Sequence, residues 1–322
     1  MLVRRITLIL LLLFSLFLGG TGAYCAPQDF AGVQIQTVKV ADHVFMLTGG
    51  GGNIGVSAGK DRVLMIDTSY APLTDKIKAA IATFSDKPVQ FIVNTHWHQD
   101  HTGGNENFAK SGAILVAQEN VRKRLSSAQY IPFLKKTISP LPASALPIIT
   151  FNEHVTFHLN GDEIYIFHIE NVHTDGDAIV HFRNSNVIHM GDIYFNGMYP
   201  FIDLSAGGSI NGMITAVERV LTLCNDNTKI IPGHGPLSEK TGLEAYRKML
   251  VAVRDRVNRE IKAGKNLDAI IASRPTRDFD QAWGNGFMKP DLFVRIIYDS
   301  LVKDKSQAQC QRKIEIAQWR SE

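Results

Sequence analysis

"NTHWHQDHTGGN", residues 94–105, places three histidines and an aspartate within the six positions from His96 to His101. Imidazole and carboxylate groups at that density read as metal ligands, because a packed core tolerates such groups only when each is paired. In an extended segment, side chains two apart point the same way. His96 and His98 therefore grip one ion from one side, while Trp97 turns away into packing. Asp100 and His101 lie just beyond and can face a second ion. Imidazole and carboxylate donors suit zinc, with iron and manganese as alternatives.

The same stretch decides the fold. It continues "VQFIVNT", residues 89–95, a continuous apolar run of strand length that fits a strand buried on both faces. Open α/β sheets bind ligands at the carboxyl ends of their strands, which is where this cluster begins. Upstream, "VFMLTG", "NIGVSAG" and "RVLMID" read as strands separated by Gly49 to Gly52 and by Gly59-Lys60-Asp61. A helix from about Pro72 to Phe84 follows them. Downstream come a helix near Gly104 to Lys110, the strand "AILVA" and a helix from Gln118 to about Gln129. Residues 130–150 are proline-rich and show no clear element, as a lid or binding loop would. "FNEHVTFHL" and "DEIYIFHIE" flank Asn160-Gly161, a type I′ hairpin signal. "AIVHF" and "NVIHM" extend the sheet, a helix runs from about Ser209 to Cys224, and "TKIIP" leads into Gly233-His234-Gly235. Thr241 and Glu244 read as a capping box that opens a long amphipathic helix. This order predicts the α/β class, with two half-sheets packed between helix layers.

The first residues stand apart. Arg4 and Arg5 precede an apolar run from Ile6 to Leu18, then small residues and Pro27, the pattern of a secretory signal peptide. Residues 1–26 are thus expected to be a leader, with an uncleaved N-terminal anchor as the alternative, and the mature chain to be periplasmic or secreted. The run is shorter than the roughly 20 residues a spanning helix needs, so no stable membrane insertion is expected after cleavage. Residues 27–240 then form the core, and 241–322 a helical extension packed on it. The net charge of +3 is slight and spread out, which excludes a nucleic-acid footprint and leaves a small molecule as partner. Cys224 and Cys310 are too few for a disulfide framework, and one bridge between them stays open.

A catalytic zinc takes three protein ligands and keeps one position open, so further ligands must come from elsewhere in the chain. His154, His158, His168, His181 and His189 lie inside strands among apolar neighbours and read as satisfied sheet residues. His43 sits in an early turn. His173 in "NVHTDGD" and His234 in "IPGHGP" instead follow strand ends among small and turn-forming residues. Asp192 in "HMGDIYF" does the same.

"HWHQDH", "NVHTDGD", "MGDIYF" and "PGHGP", in this order and spanning almost the whole mature chain, resemble the metallo-β-lactamase superfamily. The likeness is to exported cyclase-like and glyoxalase II-like members with a bridging aspartate. It implies an αββα four-layer sandwich with a dinuclear metal site between the sheet edges. His96, His98 and His173 would hold the first zinc, Asp100, His101 and His234 the second, and Asp192 would bridge them. Asp67 would support the histidine loop from beneath. The implied activity is hydrolysis of a compact, partly apolar ester, lactone, thioester or lactam, by a water whose pKa two dications lower to roughly 7. Asp100 would orient that water. Tyr194, two residues after the bridging aspartate, would either donate to the substrate oxyanion or pack in the core. Members that hydrolyse β-lactams with a cysteine at the second site carry it where Asp192 stands, and place a lysine shortly after it. Here Lys135, Lys136 or Arg183 would have to replace that lysine. The cleft walls are expected at Gly49 to Asn53 and in "GMYPFID" from Gly197, with Tyr130 and Phe133 closing over them. The alternatives are a true β-lactamase, a mononuclear iron oxygenase of the persulfide-oxidising type, which would leave His101 and His234 idle, and a non-catalytic metal-binding protein. A nuclease of this family would need strong positive charge and an added RNA-gripping domain.

Overall fold

The computed structural model describes residues 29–319, so the leader read in residues 1–26 lies outside it, as does the Cys310 side chain. Cys224 is a free thiol among the described residues.

The chain opens with β1 (Gln36–Lys39), β2 (Val44–Thr48), β3 (Ile54–Ala58) and β4 (Val63–Ile66), followed by α1 (Thr74–Ala82) and β5 (Val89–Asn94). Two short helices, α2 (Gln99–Thr102) and α3 (Asn105–Lys110), lead to β6 (Ile114–Gln118), α4 (Glu119–Leu125), β7 (Gln129–Ile131), β8 (Lys136–Ile138) and β9 (Ile149–Phe151). The second half holds β10 (His154–Leu159), β11 (Asp162–His168), β12 (Ala178–Phe182), β13 (Val187–His189), α5 (Ile210–Leu223), β14 (Lys229–Ile231) and β15 (Ser238–Glu239). Four helices close the chain: α6 (Lys240–Lys262), α7 (Leu267–Ala272), α8 (Asp280–Trp283) and α9 (Pro290–Trp319). One sheet has seven strands, β1-β2-β3-β4-β5-β6-β9, and the other six, β10 through β15 in chain order.

Side-chain alternation stacks the layers. On β4, Leu64 and Ile66 face the second sheet and pack with Ile164, Ile166 and Val180. Their neighbours Val63 and Met65 point the other way, onto Ile77 and Ile81 of α1 and Phe108 of α3. The second sheet sends Phe167, Ile179 and Ile188 to its far side, where Val217 and Val220 of α5 join Leu243, Tyr246, Leu250 and Phe293 of the later helices. The result is helices, sheet, sheet, helices, the expected αββα sandwich. Each such buried side chain stabilises by roughly 1.5–3 kcal/mol relative to exposure, and the strands read as unbroken apolar runs because both faces are covered. No described helix is long and apolar enough to cross a membrane.

Local chemistry explains the agreements and the departures. Asn160 and Gly161 take φ of 55° and 77°, the left-handed pair a type I′ turn needs, and pair Leu159 with Asp162. The helix expected to reach Gln129 stops at Leu125. The proline-rich stretch beyond it holds the hairpin β7–β8 and the edge strand β9. The long helix α6 begins at Lys240, and its N-cap Glu239 makes no side-chain bond. Thr241 therefore lies inside the first turn, where it cannot serve as an N-cap, and the expected capping box does not form.

Five loops leave strand ends on one edge of the sandwich: those after β4, β5, β11, β13 and β14. They carry Asp67, residues 95–101, His173, Asp192 and His234, so the topology brings distant stretches of sequence to one place.

Candidate metal centre

Two ligand clusters form at that edge. His96, His98, His173 and Asp192 make one, and Asp100, His101 and His234 the other. The ring nitrogens are close: His96 Nε2 lies 3.1 Å from His98 Nδ1, and His173 Nε2 lies 2.9 Å from the same atom. In the second cluster His101 Nε2 and His234 Nε2 are 3.4 Å apart. Tetrahedral zinc with bonds of about 2.0–2.1 Å holds its nitrogens about 3.3 Å from one another, so these spacings suit ligands that share an ion. Asp192 spans both clusters. Its Oδ2 faces His96 Nε2 at 3.7 Å and His173 Nε2 at 3.5 Å. Its Oδ1 faces His101 Nε2 at 3.1 Å and His234 Nε2 at 3.3 Å. Asp100 Oδ2 closes the second cluster, 3.3 Å from His234 Nε2.

The partners of the opposite ring nitrogens fix the tautomers. Acceptor-only groups oblige the facing nitrogen to carry its hydrogen, leaving a lone pair on the other. His98 Nε2–H donates to Asp203 Oδ2 at 3.0 Å, His101 Nδ1–H to Asp67 Oδ2 at 2.8 Å, and His173 Nδ1–H to the Phe201 carbonyl at 2.8 Å. Thr95 Oγ1 donates to Asp67 Oδ2 at 2.7 Å and so accepts from His96 Nδ1–H at 3.1 Å. Asp67 thus steadies one histidine of each cluster. Three lone pairs, on His96 Nε2, His98 Nδ1 and His173 Nε2, converge in the first cluster, and the buried Asp192 Oδ1 has no hydrogen-bond donor. Crowded lone pairs beside an orphaned carboxylate oxygen repel unless cations lie between them, so this donor set fits a pair of metal ions.

Protonation shows the same competition. Burial pushes the His173 ring down to about 4, and burial together with His101 puts His96 well below the usual histidine value. Against the upward push of burial, His101 and His234 hold Asp192 well below the carboxylate range and bring Asp100 to about 2.

Close approach demands glycine at two points. A Cβ on Gly52 would sit 2.1 Å from His101 Cε1, and one on Gly233 would sit 2.2 Å from Asp192 Oδ1. Asn53 ties the two loops together, its Nδ2 donating to the Pro232 and Gly235 carbonyls.

Above the clusters lies a cavity of about 430 Å³ lined by Tyr70, Trp97, Ile131, Leu134, Phe195 and Phe201, among others. Gly51, Met198 and Phe201 place the two expected walls there. Phe133 packs on Phe201 at 5.1 Å, and Phe287 from the C-terminal segment extends this aromatic wall. Of the three cations considered for a carboxylate clamp, only Lys136 lines the cavity. Arg183 is paired with Glu163 and lies over the Tyr165 ring, and Lys135 caps the hairpin turn with φ of 51°. Tyr130 is exposed and does not line the cavity.

All seven expected ligands meet, and of its two readings Tyr194 takes the packed one, not the catalytic one. It is fully buried, its hydroxyl is 2.8 Å from Ser238 Oγ, and its ring packs on Tyr246, so it faces the core behind the site. Sequence reasoning missed Asp203, Tyr70 and Phe287. Asp203 carried a signal in "FIDLSAGG", where an acid before Ser205 and Gly207 suggests a turn cap. The others carried none.

Comparison with known proteins agrees with this geometry. The model of the Metallo-beta-lactamase superfamily matches residues 47–235. The chain is 24% identical over 266 residues to the 2,4-dinitroanisole O-demethylase subunit alpha of Nocardioides sp., covering 81% of this chain and 77% of that protein. It is 26% identical over 183 residues to the hydroxyacylglutathione hydrolase of Pelagibacter ubique, covering 56% of this chain and 64% of that one. Among solved structures, a metallo-beta-lactamase from Pontibacter korlensis superposes with a TM-score of 0.56 at 20% identity, covering 67% of this chain and 99% of that one. A sec-alkylsulfatase from Pseudomonas sp. gives 0.62 at 15% identity, covering 82% of this chain and 50% of its own. At these identities the structural likeness concerns the fold.

Proposed function

From the premise that this chain belongs to the metallo-beta-lactamase superfamily, a fold of metal-dependent hydrolases, we propose that it is a dinuclear zinc hydrolase acting on a small carbonyl substrate. The substrate class is an ester, lactone, thioester or β-lactam. The observation that carries this is Asp192, which turns one oxygen to each ligand cluster. A mononuclear iron oxygenase needs only the first cluster and would leave Asp100, His101 and His234 without employment.

His96, His98, His173 and Asp192 would hold one ion, and Asp100, His101, His234 and Asp192 the other. Ions held there would supply a bound water of pKa roughly 7 and a Lewis acid for a carbonyl. The protein's own contribution is order. Asp67, Thr95, Asp203 and the Phe201 carbonyl fix the rings, and Asp100, at the cavity floor, would accept a hydrogen bond from the attacking water or hydroxide and aim it. The aromatic wall excludes bulk water and supports a compact, partly apolar substrate. The relative matching 81% of this chain is named for a small aromatic compound, which supports the compact, partly apolar shape of the substrate. Lys136 in the cavity supports a second reading, that carboxylate-bearing lactams are among the substrates. Export, read from residues 1–26, belongs to the same proposal.

The test is a panel of nitrocefin, a γ-lactone, a thioester and phenyl acetate with the zinc-loaded chain and its Asp100→Ala variant. Hydrolysis of at least one carbonyl class, lost about 100-fold or more in the variant, is expected. Oxygen uptake on a persulfide with no hydrolysis would overturn the proposal.

A further inference from the structure

The cavity contains one phenol, and its surroundings set it apart from the buried tyrosines. Tyr194, Tyr199 and Tyr246 are fully buried, and each hydroxyl has a partner: Ser238 Oγ at 2.8 Å, Asp280 Oδ1 at 3.0 Å and Met213 Sδ at 3.4 Å. Tyr70 lines the metal-centre cavity with Gly51, Asp100, Asp192 and His234, and its hydroxyl has no hydrogen-bond partner among the described residues.

The backbone presents this side chain at some expense. Asp67 and Ser69, neither of them glycine, take φ of 64° and 53° in the turn that ends at Tyr70. Left-handed non-glycine residues persist where surrounding bonds over-determine them. Here Thr68 N–H donates to the His101 carbonyl at 2.7 Å, and Ser69 Oγ donates to the Gly50 carbonyl. The turn is thus bolted to the histidine loop on one side and to the glycine loop on the other. Phe30 packs on the Tyr70 ring at 5.1 Å and holds it from behind.

We propose that Tyr70 is a further catalytic residue, its hydroxyl donating a hydrogen bond to the substrate oxygen that gathers negative charge in the transition state. This rests on the hydrolase reading above and fills the role Tyr194 cannot reach. The group suits the task, since a phenol with its ordinary pKa of about 10 is a donor at neutral pH. No proton need leave it. A donor aimed at developing charge in a site of low polarity is worth a factor of about 100 in rate or more.

The experiment compares the zinc-loaded wild type with Tyr70→Phe, which keeps the ring on Phe30 and removes only the hydroxyl. The readouts are phenyl acetate kinetics, calorimetric binding of phenylphosphonate as a stable tetrahedral anion, and thermal stability. Expected are a fall in kcat of about 10–100-fold with KM nearly constant, roughly 10-fold weaker phosphonate binding and an unchanged Tm. Unchanged kcat and phosphonate affinity would overturn the proposal, and so would lost activity with unchanged phosphonate affinity. If the wild type hydrolyses no member of the ester, lactone, thioester and lactam panel, the hydrolase reading fails on its own, and the phosphonate arm still decides whether the Tyr70 hydroxyl meets an anion in this cavity.

Discussion

Replacing Asp203 by asparagine keeps the shape of the side chain and removes its charge, at a residue only 1% exposed. Its Oδ2 accepts His98 Nε2–H at 3.0 Å, and its Oδ1 accepts the N–H groups of Ser205 and Ala206, both at 3.1 Å. An amide can serve one of these sides. With its oxygen on the cap, its NH₂ meets His98 Nε2–H donor to donor, and the ring must rotate or move its proton to Nδ1, the atom that faces the first ion. Losing such support typically weakens metal binding by about 10–100-fold. That corresponds to about 1.4–2.7 kcal/mol at the first cluster. The second cluster, anchored on Asp67, is untouched. Zinc titration against a chromophoric chelator should therefore show one site weakened by that factor and one unchanged. Two sites of wild-type affinity in Asp203→Asn would refute the reasoning. The same residue sets a pH window. Against burial, the bonds from His98 and Ser205 hold its carboxyl at about 2, below the ordinary 3.8. Its contribution to folding is therefore complete above about pH 4 and is lost as pH falls through about 2, a difference of about 2 kcal/mol. Acid unfolding of Asp203→Asn should show a shallower slope across that interval.

Metal uptake at the second cluster should release protons. Burial pushes His234 down, but Asp192 and Asp100 outweigh it and carry the ring up to about 9 in the metal-free protein. Below that pH a bound ion must displace the proton, so affinity rises with pH; calorimetry in two buffers of different ionisation enthalpy should detect roughly one proton or more at neutral pH, and none would contradict the assignment. Gly52→Ala puts a methyl 2.1 Å from His101 Cε1. Overpacking of this kind costs about 1–3 kcal/mol, and metal analysis should find the second ion depleted; full occupancy would speak against the placement of His101. Lys136→Ala should raise KM by about 10-fold or more for carboxylate-bearing lactams, the worth of a charge-assisted hydrogen bond, while phenyl acetate kinetics stay unchanged. Equal effects on both substrates would remove Lys136 as the clamp.

What was legible in the sequence follows from what each residue's role depends on. The strand ending at Asn94 and the cluster after it could be read because apolar runs and dense ligands are local signals. The turn at Asn160-Gly161 could be read because few residues take left-handed φ readily. The seven ligands emerged through motif resemblance, and the structure brings them together. The hairpin β7–β8 was hidden, since two three-residue strands among prolines leave no periodicity to find. Tyr194 kept two readings for a related reason. Position two residues beyond a ligand does not reveal direction, and the 3₁₀ turn Gly191–Ile193 sends this side chain behind the site. Asp203 and Tyr70 matter through partners 105 and about 30 residues away along the chain, His98 and the histidine loop, which no local pattern records.

The central claim is that Asp192 joins two metal ions. Elemental mass spectrometry on the chain purified without added metal tests it most directly. About two zinc ions per chain are expected, falling to one or fewer in Asp192→Ala, where both clusters lose an oxygen. About one iron per chain, or two zinc ions kept by Asp192→Ala, would contradict it.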